Sequence, residues 1–291
     1  MDIYKNLTLI IVCYKSSILI KKNLENLKIF KTIIVDNSNC EETYNLVKNF
    51  DNIKYIKTTK NLGYGQANNL GISYADSKFI LILNPDILIN EESILTLYNK
   101  KNAYDNIGIL VPSLYSVTNE RKTNGSKSFL KKKFHTKLFT NKNFAEDDTC
   151  YDFAVGCAFL IDRDFFNKIG GFDKDFFMYF EDNEICDKVY KFHKTVIEIP
   201  SSKMIHMEGS SSEKNFLSDC KLSLIHKISE FIYLDKNLSK LDKYKNLIIQ
   251  LFDYFQRMIF NFVSLKFNKS FKNFLRILSI ALYITSLYKL I

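Results

Sequence analysis

The sequence has 291 residues, of which 46% are hydrophobic and 25% are charged. This composition is typical of a globular protein and excludes a chain that is disordered throughout. Lysine and arginine number 41 against 32 aspartates and glutamates, and this basic excess favours anionic partners such as nucleotide phosphates, nucleic acid or an acidic membrane surface.

The N-terminal residues and the cysteines indicate a reducing compartment. The opening stretch MDIYKNLTLIIVCY has an acid at position 2 and no small-residue cleavage site, so it predicts a first strand rather than a signal peptide. Six cysteines show no CxxC spacing and no zinc-like pairing. We therefore expect free thiols in the cytosol. The sequence also lacks the run of about 18 uncharged apolar residues that a membrane-spanning helix needs.

The first part of the chain alternates short β-branched runs with helix-like segments. The runs lie at 7–13, 32–35, 53–57, 79–83 and 107–111, and the helix-like segments at about 17–30, 41–50, 65–76 and 91–103. This alternation predicts an α/β fold with a mostly parallel sheet that is covered by helices on both faces. Ligands of such sheets bind beyond the carboxyl ends of the strands.

Two early strands end at candidate binding residues. Tyr14 follows the first strand, where its ring is suited to stack on a nucleobase; a tyrosine of the core is the alternative. Asp36 ends the second strand, where its carboxylate could accept a hydrogen bond from the N–H of a pyrimidine ring. Alternatively, Asp36 or Ser38 caps the helix that starts near residue 41.

The run 79–83 ends in Asn84-Pro85-Asp86. Pro85 fixes φ and bends the chain out of the sheet, so that Asp86 projects past the strand end as an oxygen ligand. Mg²⁺ or Mn²⁺ typically binds through one or two carboxylates together with phosphate oxygens of a substrate. The motif thus predicts a metal site, with an ordinary Asx-Pro turn as the alternative.

Residues 61–71, NLGYGQANNLG, open a helix with glycines. Such a segment can bring backbone N–H groups close to a phosphate, which makes Asn61, Gly65 and Asn68 candidate nucleotide-binding residues. The spacing is not that of G-x-G-x-x-G, so the segment does not predict a dinucleotide site.

The alternation of strand-like and helix-like segments is interrupted at residues 113–150. Residues 120–143 contain eight lysines and arginines against one glutamate, which we interpret as an excursion or mobile loop, or as a solvated charged surface. The pattern then resumes. We predict a strand at 153–161, helices at about 162–168 and up to about 193, and short strands near 195–199 and 203–207.

Acidic and aromatic residues are densest between Gly170 and Glu184. A carboxylate that lies against aromatic walls is partly desolvated, which raises its pKa and suits it to accept a proton. The alternative is a helix N-terminus, where acids interact favourably with the helix dipole. His206 ends the last short strand; a lone histidine is more often structural, unless Asp86 builds a metal site.

The chain after residue 210 is predicted to be helical. Apolar residues recur at three- and four-residue spacing from Ile248 to Val263, and a second helix at about 270–289 is basic and aromatic. No acidic residue follows Asp253. These helices fit an anchor on an anionic membrane surface; packing on the rest of the chain or on a second subunit is the alternative.

Seven stretches in order resemble family-2 glycosyltransferases of the GT-A fold, especially the bacterial rhamnosyltransferase-like branch that builds surface polysaccharides. They are IIVCYKSS, IIVDNSN, NLGYGQANNLGI, ILILNPD, GCAFLIDR, GGFDKDFFMYFEDNEIC and IPSSKMIHMEGSS. Their order carries the resemblance, since no single motif is specific. It implies a nucleotide-sugar-dependent catalytic domain at 1–212, followed by an α-helical extension at 213–291.

The resemblance also implies roles for single residues. Tyr14 and Asp36 hold the nucleobase. Asn84 and Asp86 take the place of the family's DxD motif, with Asp86 on a divalent metal, Mg²⁺ or Mn²⁺, that bridges the donor diphosphate. Asp182 is the general base of an inverting displacement, and His206 completes the metal or diphosphate site. The sequence departs from the family pattern in that Lys15 replaces the usual asparagine and Asn84 replaces the first acid.

The implied partners are a nucleotide-diphosphate sugar, such as deoxythymidine-diphosphate rhamnose, and a glycan or lipid-linked acceptor. The implied location is the cytoplasmic face of the plasma membrane, with peripheral contact to anionic lipid. Two alternatives stay open at this point. One is a nucleotidyltransferase that uses the same crevice. The other is a non-enzymatic protein that binds membranes or nucleic acid, although no nucleic-acid motif is present.

Overall fold

The computed structural model describes residues 3–126, 144–207 and 216–286. The chain separates into two compact units, one formed by Met1–Lys174 with Glu181–Ser212 and the other by Asp175–Phe180 with Glu213–Ile291. We call them the sheet unit and the helical unit. Most of the basic segment predicted as an excursion, residues 127–143, lies outside the described residues.

The sheet unit contains short strands and helices in alternation. Its described strands are β1 (Leu7–Cys13), β2 (Lys31–Asp36), β3 (Ile53–Lys57), β4 (Phe79–Leu83), β5 (Ile87–Leu88), β6 (Ile107–Tyr115), β7 (Arg121–Lys122), β8 (Gly125–Ser126), β9 (Thr149–Tyr151), β10 (Phe153–Ala154), β11 (Ala158–Asp162) and β12 (Thr195–His206). Its described α-helices are α1 (Ile3–Asn6), α2 (Ser17–Leu27), α3 (Glu41–Val47), α4 (Tyr64–Ser73), α5 (Glu91–Asn99), α6 (Arg163–Lys168) and α7 (Glu181–Lys191).

The main sheet has the strand order β3-β2-β1-β4-β11-β6-β12-β5. Strands β1 to β4 are parallel to one another, whereas β11 is antiparallel to both β4 and β6. The carboxyl ends of β1, β2 and β4 therefore meet at one edge, and β11 begins at that same edge because it runs the opposite way. The predicted α/β fold with a mostly parallel sheet is confirmed.

Both faces of the sheet are covered, as the apolar strands predicted. Every residue of β1 and β4 is buried. Alternate residues of β1 belong to two separate cores, Leu9 and Ile11 to one and Ile10 and Val12 to the other. Helix α4 comes unusually close to the sheet at Gly71, where an added Cβ would lie 2.8 Å from Cγ2 of Ile10.

Three boundaries differ from those predicted. The strand expected at 153–161 is two strands, β10 and β11, because the chain turns at residues 155–157. The two short strands expected near 195–199 and 203–207 are one strand, β12, with a shift in its pairing to β6 between Ile199 and Lys203. Strand β6 continues to Tyr115, so the excursion begins later than residue 113.

The helical unit consists of three long described helices, α8 (Phe216–Asn237), α9 (Lys240–Val263) and α10 (Phe267–Ile284), with residues 175–180. Helix α9 turns polar residues inward, since Asn246, Gln250 and Tyr254 are buried. Its apolar stripe is exposed instead, with Phe252 63% and Val263 75% exposed. None of the described helices combines the length and the apolar character needed to cross a bilayer.

Candidate active site

The Asn84–Asp86 turn lies at the carboxyl end of β4, facing the start of β11. The backbone N–H of Asn84 donates to the carbonyl of Cys157 at 2.9 Å, and that of Ile87 donates to the carbonyl of Asn84 at 3.1 Å. Asp86 is 3% exposed. Strand pairing thus fixes the turn at the sheet edge where parallel strands deliver their ligand-binding residues.

A buried side chain from α2, Asn23, braces the same turn. Its amide donates to the carbonyls of Pro85 at 3.3 Å and Ile87 at 2.8 Å, and its Oδ1 accepts from the N–H of Ile89 at 2.9 Å. The sequence pattern had not indicated a role for this residue. The available signal was a lone asparagine at helical spacing from Ile20 on an otherwise buried face.

Asp86 and His206 lie side by side. His206 Nε2 is 3.2 Å from Asp86 Oδ1, and the backbone N–H of Met207 donates to the carbonyl of Asp86 at 2.9 Å. Asp86 Oδ1 and Asn84 Oδ1 are buried, and apart from the His206 ring beside Asp86 neither has a hydrogen-bond partner among the described residues. This turn and the end of β12 therefore offer three atoms that suit a divalent cation, namely Asn84 Oδ1, Asp86 Oδ1 and His206 Nε2.

The Asp86–His206 pair fits a divalent cation. Two ligands bound at about 2.1 Å in adjacent octahedral positions are about 3 Å apart, which is close to the observed separation. Within the described ranges no cluster of three or more histidine, cysteine, aspartate or glutamate side chains could hold a metal. A cation held here needs further oxygens from substrate phosphate or water, as Mg²⁺ and Mn²⁺ commonly have.

Asp36 is fully buried and its carboxylate is saturated by donors of its own chain. Oδ1 accepts from the N–H and hydroxyl of Ser38 at 2.7 and 2.6 Å. Oδ2 accepts from the N–H of Cys40 at 2.9 Å and the hydroxyl of Tyr55 at 2.7 Å. A carboxylate has about four acceptor positions, so Asp36 shapes the loop that leads into α3, and its contact with a nucleobase stays a prediction.

Tyr14 lies next to this loop with its side chain free to meet a ligand. It is 47% exposed, at the carboxyl end of β1. The following residue, Lys15, has a φ of 52°, and its N–H donates to Ser38 Oγ at 2.8 Å. An exposed aromatic ring at this edge is available for stacking on a planar base.

The glycine-rich segment forms a loop and the start of α4. Exposed Asn61 accepts from the N–H of Gly63 at 2.9 Å, and Gly63 has a φ of 79°. A Cβ at Gly65 would lie 2.9 Å from Cβ of Phe172. Close packing therefore explains Gly65. Asn68 is buried, donates to the carbonyl of Tyr64 at 3.0 Å and has an unpartnered Oδ1 among the described residues.

Asp182 is half-buried in the first turn of α7. Its Oδ2 accepts from the N–H of Gly156 at 3.3 Å, and its Oδ1 accepts from the N–H and side-chain amide of Asn183 at 2.9 and 3.2 Å. Burial raises the pKa of Asp182 above its ordinary value, while the hydrogen bonds from Gly156 and Asn183 oppose that rise. A carboxylate in such surroundings is suited to accept a proton.

Two neighbours of Asp182, Glu181 and Tyr64, were not predicted as site residues from the sequence. Burial, and next the charge of Asp182, raise the pKa of Glu181 to about 8, which favours the protonated form of this carboxyl. Its Oε2 has no hydrogen-bond partner in the described part of the chain. Burial raises the pKa of Tyr64 well above its usual range, and its hydroxyl donates to the carbonyl of Gly156.

The segment Gly156–Cys157 joins these parts. Its Cys157 carbonyl binds the N–H of Asn84, and its Gly156 N–H binds the carboxylate of Asp182. A Cβ at Gly156 would lie 3.1 Å from Cβ of Asp182. The structure therefore brings the Asn84–Asp86 turn and Asp182 to the same edge of the sheet. Gly156 and Cys157 lie between them.

Residues 8–170 match the sequence model of the family described as Glycosyl transferase family 2. This match covers more than half of the chain. The chain therefore belongs to glycosyl transferase family 2, and the assignment made from its seven motifs is confirmed.

Three proteins of similar sequence are named as hexosyl- or rhamnosyltransferases. The chain is 30% identical over 209 residues to the low-salt glycan biosynthesis hexosyltransferase Agl10 of Haloferax volcanii, covering 69% of this chain and 66% of that protein. It is 27% identical over 247 residues to the rhamnosyltransferase WbbL of Escherichia coli, covering 78% and 91%. It is 24% identical over 234 residues to the N-acetylglucosaminyl-diphospho-decaprenol L-rhamnosyltransferase of Mycobacterium tuberculosis, covering 69% and 73%. The resemblance to rhamnosyltransferases is confirmed.

The fold is similar to that of the mannosyltransferase PcManGT from Pyrobaculum calidifontis, solved in complex with GDP-Man and Mn²⁺. The TM-score is 0.54 at 13% identity, and the match covers 97% of this chain and 74% of that chain. At this identity the likeness establishes the fold, and the expected GT-A fold is confirmed.

The pKa of Glu181 predicts how stability depends on pH. Because its folded-state pKa of about 8 lies above the ordinary value of 4.5, the folded protein holds a proton that the unfolded chain has lost between these values. The free energy of unfolding therefore falls as the pH rises from 4.5 to 8 through this group. Glu181→Gln stays neutral, so its urea midpoint should fall less between pH 5 and pH 8. Equal falls in the two proteins would contradict the assignment.

Proposed function

We propose that this chain transfers a sugar from a nucleoside-diphosphate donor to a hydroxyl of a glycan or lipid-linked acceptor, with inversion at the anomeric carbon. Membership of glycosyl transferase family 2 gives the reaction class. The observation that carries the mechanism is that the Asn84–Asp86 turn and Asp182 flank the segment Gly156–Cys157 at one sheet edge. In this arrangement the leaving diphosphate binds at the Asn84–Asp86 turn, and Asp182 serves as the base for the acceptor in the same cleft.

The diphosphate end of the donor is assigned to Asp86 and His206. These two side chains would hold Mg²⁺ or Mn²⁺ beside the diphosphate, with Asn84 contributing its unpartnered Oδ1. When bound, such a cation stabilises the charge that develops on the departing diphosphate. Asn23 acts as a positioning residue, because its three hydrogen bonds hold the turn that carries Asp86.

The nucleobase end is assigned to the loop at the ends of β1 and β2. The exposed ring of Tyr14 offers a stacking surface, and Asp36 keeps the loop in shape through Ser38 and Tyr55. A direct contact between Asp36 and the base requires the loop to open, because its carboxylate has no acceptor position to spare. Asn61, Gly65 and Asn68 shape the neighbouring wall.

Asp182 is assigned as the general base. It removes the proton of the acceptor hydroxyl as that oxygen attacks the anomeric carbon and the bond to the diphosphate breaks. The N–H groups of Gly156 and Asn183 keep the carboxylate oriented. Burial and the charge of Asp182 favour the protonated form of Glu181, which reduces the negative charge beside the proposed base.

The acceptor and the donor sugar are proposed from the relatives. Two of them are rhamnosyltransferases by name, and the name of one specifies a decaprenol-linked sugar diphosphate as its substrate. We infer that rhamnose or a related hexose is transferred to a lipid-linked acceptor, at the cytoplasmic face of the membrane.

The exposed apolar stripe of α9 is assigned to contact with an anionic membrane. Large apolar side chains on this helix face solvent, including Ile248, Phe252 and Phe260 at 67%, 63% and 67% exposure. All charged residues after Asp253 are basic, which suits the headgroups of anionic lipids. An apolar stripe beside positive charge is typical of helices that lie in the membrane interface.

Replacement of Asp182 by asparagine tests the base. The amide preserves the size of the side chain and an oxygen for the Gly156 N–H, but it cannot accept the proton. We expect kcat to fall about 10²–10⁴-fold while the KM for the donor stays within a few-fold. Glu184→Gln, in the same helical turn and paired with Lys188 at 3.0 Å, serves as the matched control. A kcat of Asp182→Asn within threefold of that of the wild type would contradict the assignment of Asp182 as the base.

Vesicle binding tests the membrane contact. Full burial of a phenylalanine side chain is worth about 1.5–3 kcal/mol, so the double variant Phe252→Gln, Phe260→Gln should co-sediment at least about tenfold less with phosphatidylglycerol vesicles. Val117→Gln, at an apolar site of the sheet unit that is 69% exposed, should bind like the wild type. If the stripe instead joins two copies, light scattering will detect a dimer that the double variant loses, and vesicle binding will not change.

A further inference from the structure

The helical unit contains a cavity of about 610 Å³ that the proposed reaction does not use. Three cationic side chains line it, Lys227 from α8, Arg257 from α9 and Arg276 from α10, together with His226, Tyr179 and Tyr254. Cations from three different helices converge on this one space, which the carboxylates of Asp219 and Asp253 also line.

A buried network holds one wall of the cavity in place. The hydroxyl of Tyr254 donates to Gln250 Oε1 at 2.8 Å, and the amide of Gln250 donates to Glu230 Oε1 at 3.1 Å. Lys227 Nζ lies 5.2 Å and Arg276 Cζ 5.4 Å from the centre of the Tyr254 ring. The ring therefore stabilises two cations whose like charges repel each other.

Two of the three cations are already paired with carboxylates. Lys227 contacts Glu230, and Arg257 Nε lies 2.8 Å from Asp253 Oδ1. Asp219, which also lines the cavity, lies 3.7 Å from Lys272. The acids around the cavity thus have cationic partners of their own, and they leave the charge of Arg276 uncompensated.

Arg276 has only a neutral partner among the described residues. Its Nη1 donates to Asn273 Oδ1 at 3.2 Å. Its Nε is buried without a hydrogen-bond acceptor, and no carboxylate of the described chain lies within salt-bridge distance. A guanidinium that is partly buried and unpaired is costly, and an oxyanion that accepts from its planar fork offsets that cost.

His226 adds a hydrogen-bonding group without adding charge. Burial, and next the charge of Lys227, lower its pKa, and Arg276 lowers it further although Glu230 opposes this. Its ring lies 5.1 Å from that of Tyr179. A neutral imidazole beside the two cations can donate to a phosphate oxygen.

We propose that this cavity binds a phosphate-bearing ligand, with Arg276 as the principal contact and Lys227 and Arg257 as supporting charges. A monoester, a diester or a diphosphate presents the oxyanions that arginine binds with two parallel hydrogen bonds. The group arrives either on a lipid or as a soluble phosphate compound. None of the residues that line the cavity is assigned to the proposed reaction, and the proposal does not depend on that reaction.

Two binding measurements on the full chain test the site and separate the sources. Calorimetry with pyrophosphate in the presence of EDTA measures the soluble phosphate and removes any metal-dependent binding at Asp86. Co-sedimentation with phosphatidylcholine vesicles, with and without phosphatidylglycerol, measures the lipid-borne phosphate. Arg276→Gln should weaken binding by about tenfold in at least one arm, since it removes a charge-assisted bidentate contact. Lys31→Gln, which removes an exposed lysine of the sheet unit that lies 3.0 Å from Asp76, is the matched control and should bind within twofold of the wild type.

The pattern of losses identifies the source. Weaker binding in the pyrophosphate arm alone indicates a soluble phosphate, whereas a loss in the vesicle arm indicates a lipid. The proposal is overturned if the wild type binds neither probe, or if Arg276→Gln binds both as the wild type does. Should Arg276→Gln fail to fold by circular dichroism, Arg257→Gln replaces it, because the Arg257 side chain is 61% exposed and its loss leaves the core intact. Unchanged binding by that variant overturns the proposal equally. The readout is binding, so absence of glycosyl transfer does not affect the result.

Discussion

The candidate active site depends on the antiparallel entry of β11 between the parallel strand β4 and strand β6. Because β11 runs the opposite way, its first residues lie at the edge where the parallel strands end. Gly156 and Cys157, just before β11, then supply one backbone N–H to Asp182 and one carbonyl to Asn84. Two distant parts of the sequence are thereby held on opposite sides of a single short segment, and no side chain at Gly156 comes between them.

Much of the sheet unit follows from local sequence pattern. Fully apolar runs such as 79–83 predicted buried strands, and Pro85 predicted the place where the chain leaves the sheet. The pairing of β11 could not be predicted from the sequence, because direction and register in a mixed sheet are set by contacts between distant residues. The break at 155–157 was missed for a related reason: its hydrogen bonds run to Asn84 and Asp182, and no local signal besides one glycine marks it.

The site residues divide in the same way. Asp86 and His206 could be named from residue type and position, whereas only the resemblance to the family singled out Asp182 among the neighbouring acids. Asn23 and Tyr64 act through hydrogen bonds to backbone groups far along the chain, and their residue types alone indicate nothing. Glu181 was visible as an acid, but its raised pKa comes from burial, which only the packed structure determines. For Asp36, the four protein donors around the carboxylate favour the loop-shaping alternative that sequence analysis had kept open.

The helical unit illustrates the limit of amphipathic patterns. The period of α9 predicted a helix with one apolar face, and burial of that face would be the ordinary outcome. The structure buries Gln250 and Tyr254 instead, since they bond to each other and to Glu230. The apolar face is left outside and an arginine-lined cavity lies within the unit. Neither feature can be derived from periodicity, because periodicity does not identify which face meets solvent.

We propose that Asp86 and Asp182 face one cleft that receives the donor diphosphate. A crystal structure of the protein with a nucleoside diphosphate and Mn²⁺ tests it most directly, because the anomalous signal locates the metal independently of any interpretation of side chains. We expect the manganese peak on the carboxylate of Asp86, in contact with the diphosphate, with the Asp182 carboxylate lining the same cleft. A nucleotide and metal bound elsewhere, or an Asp182 separated from them by the sheet, would contradict it.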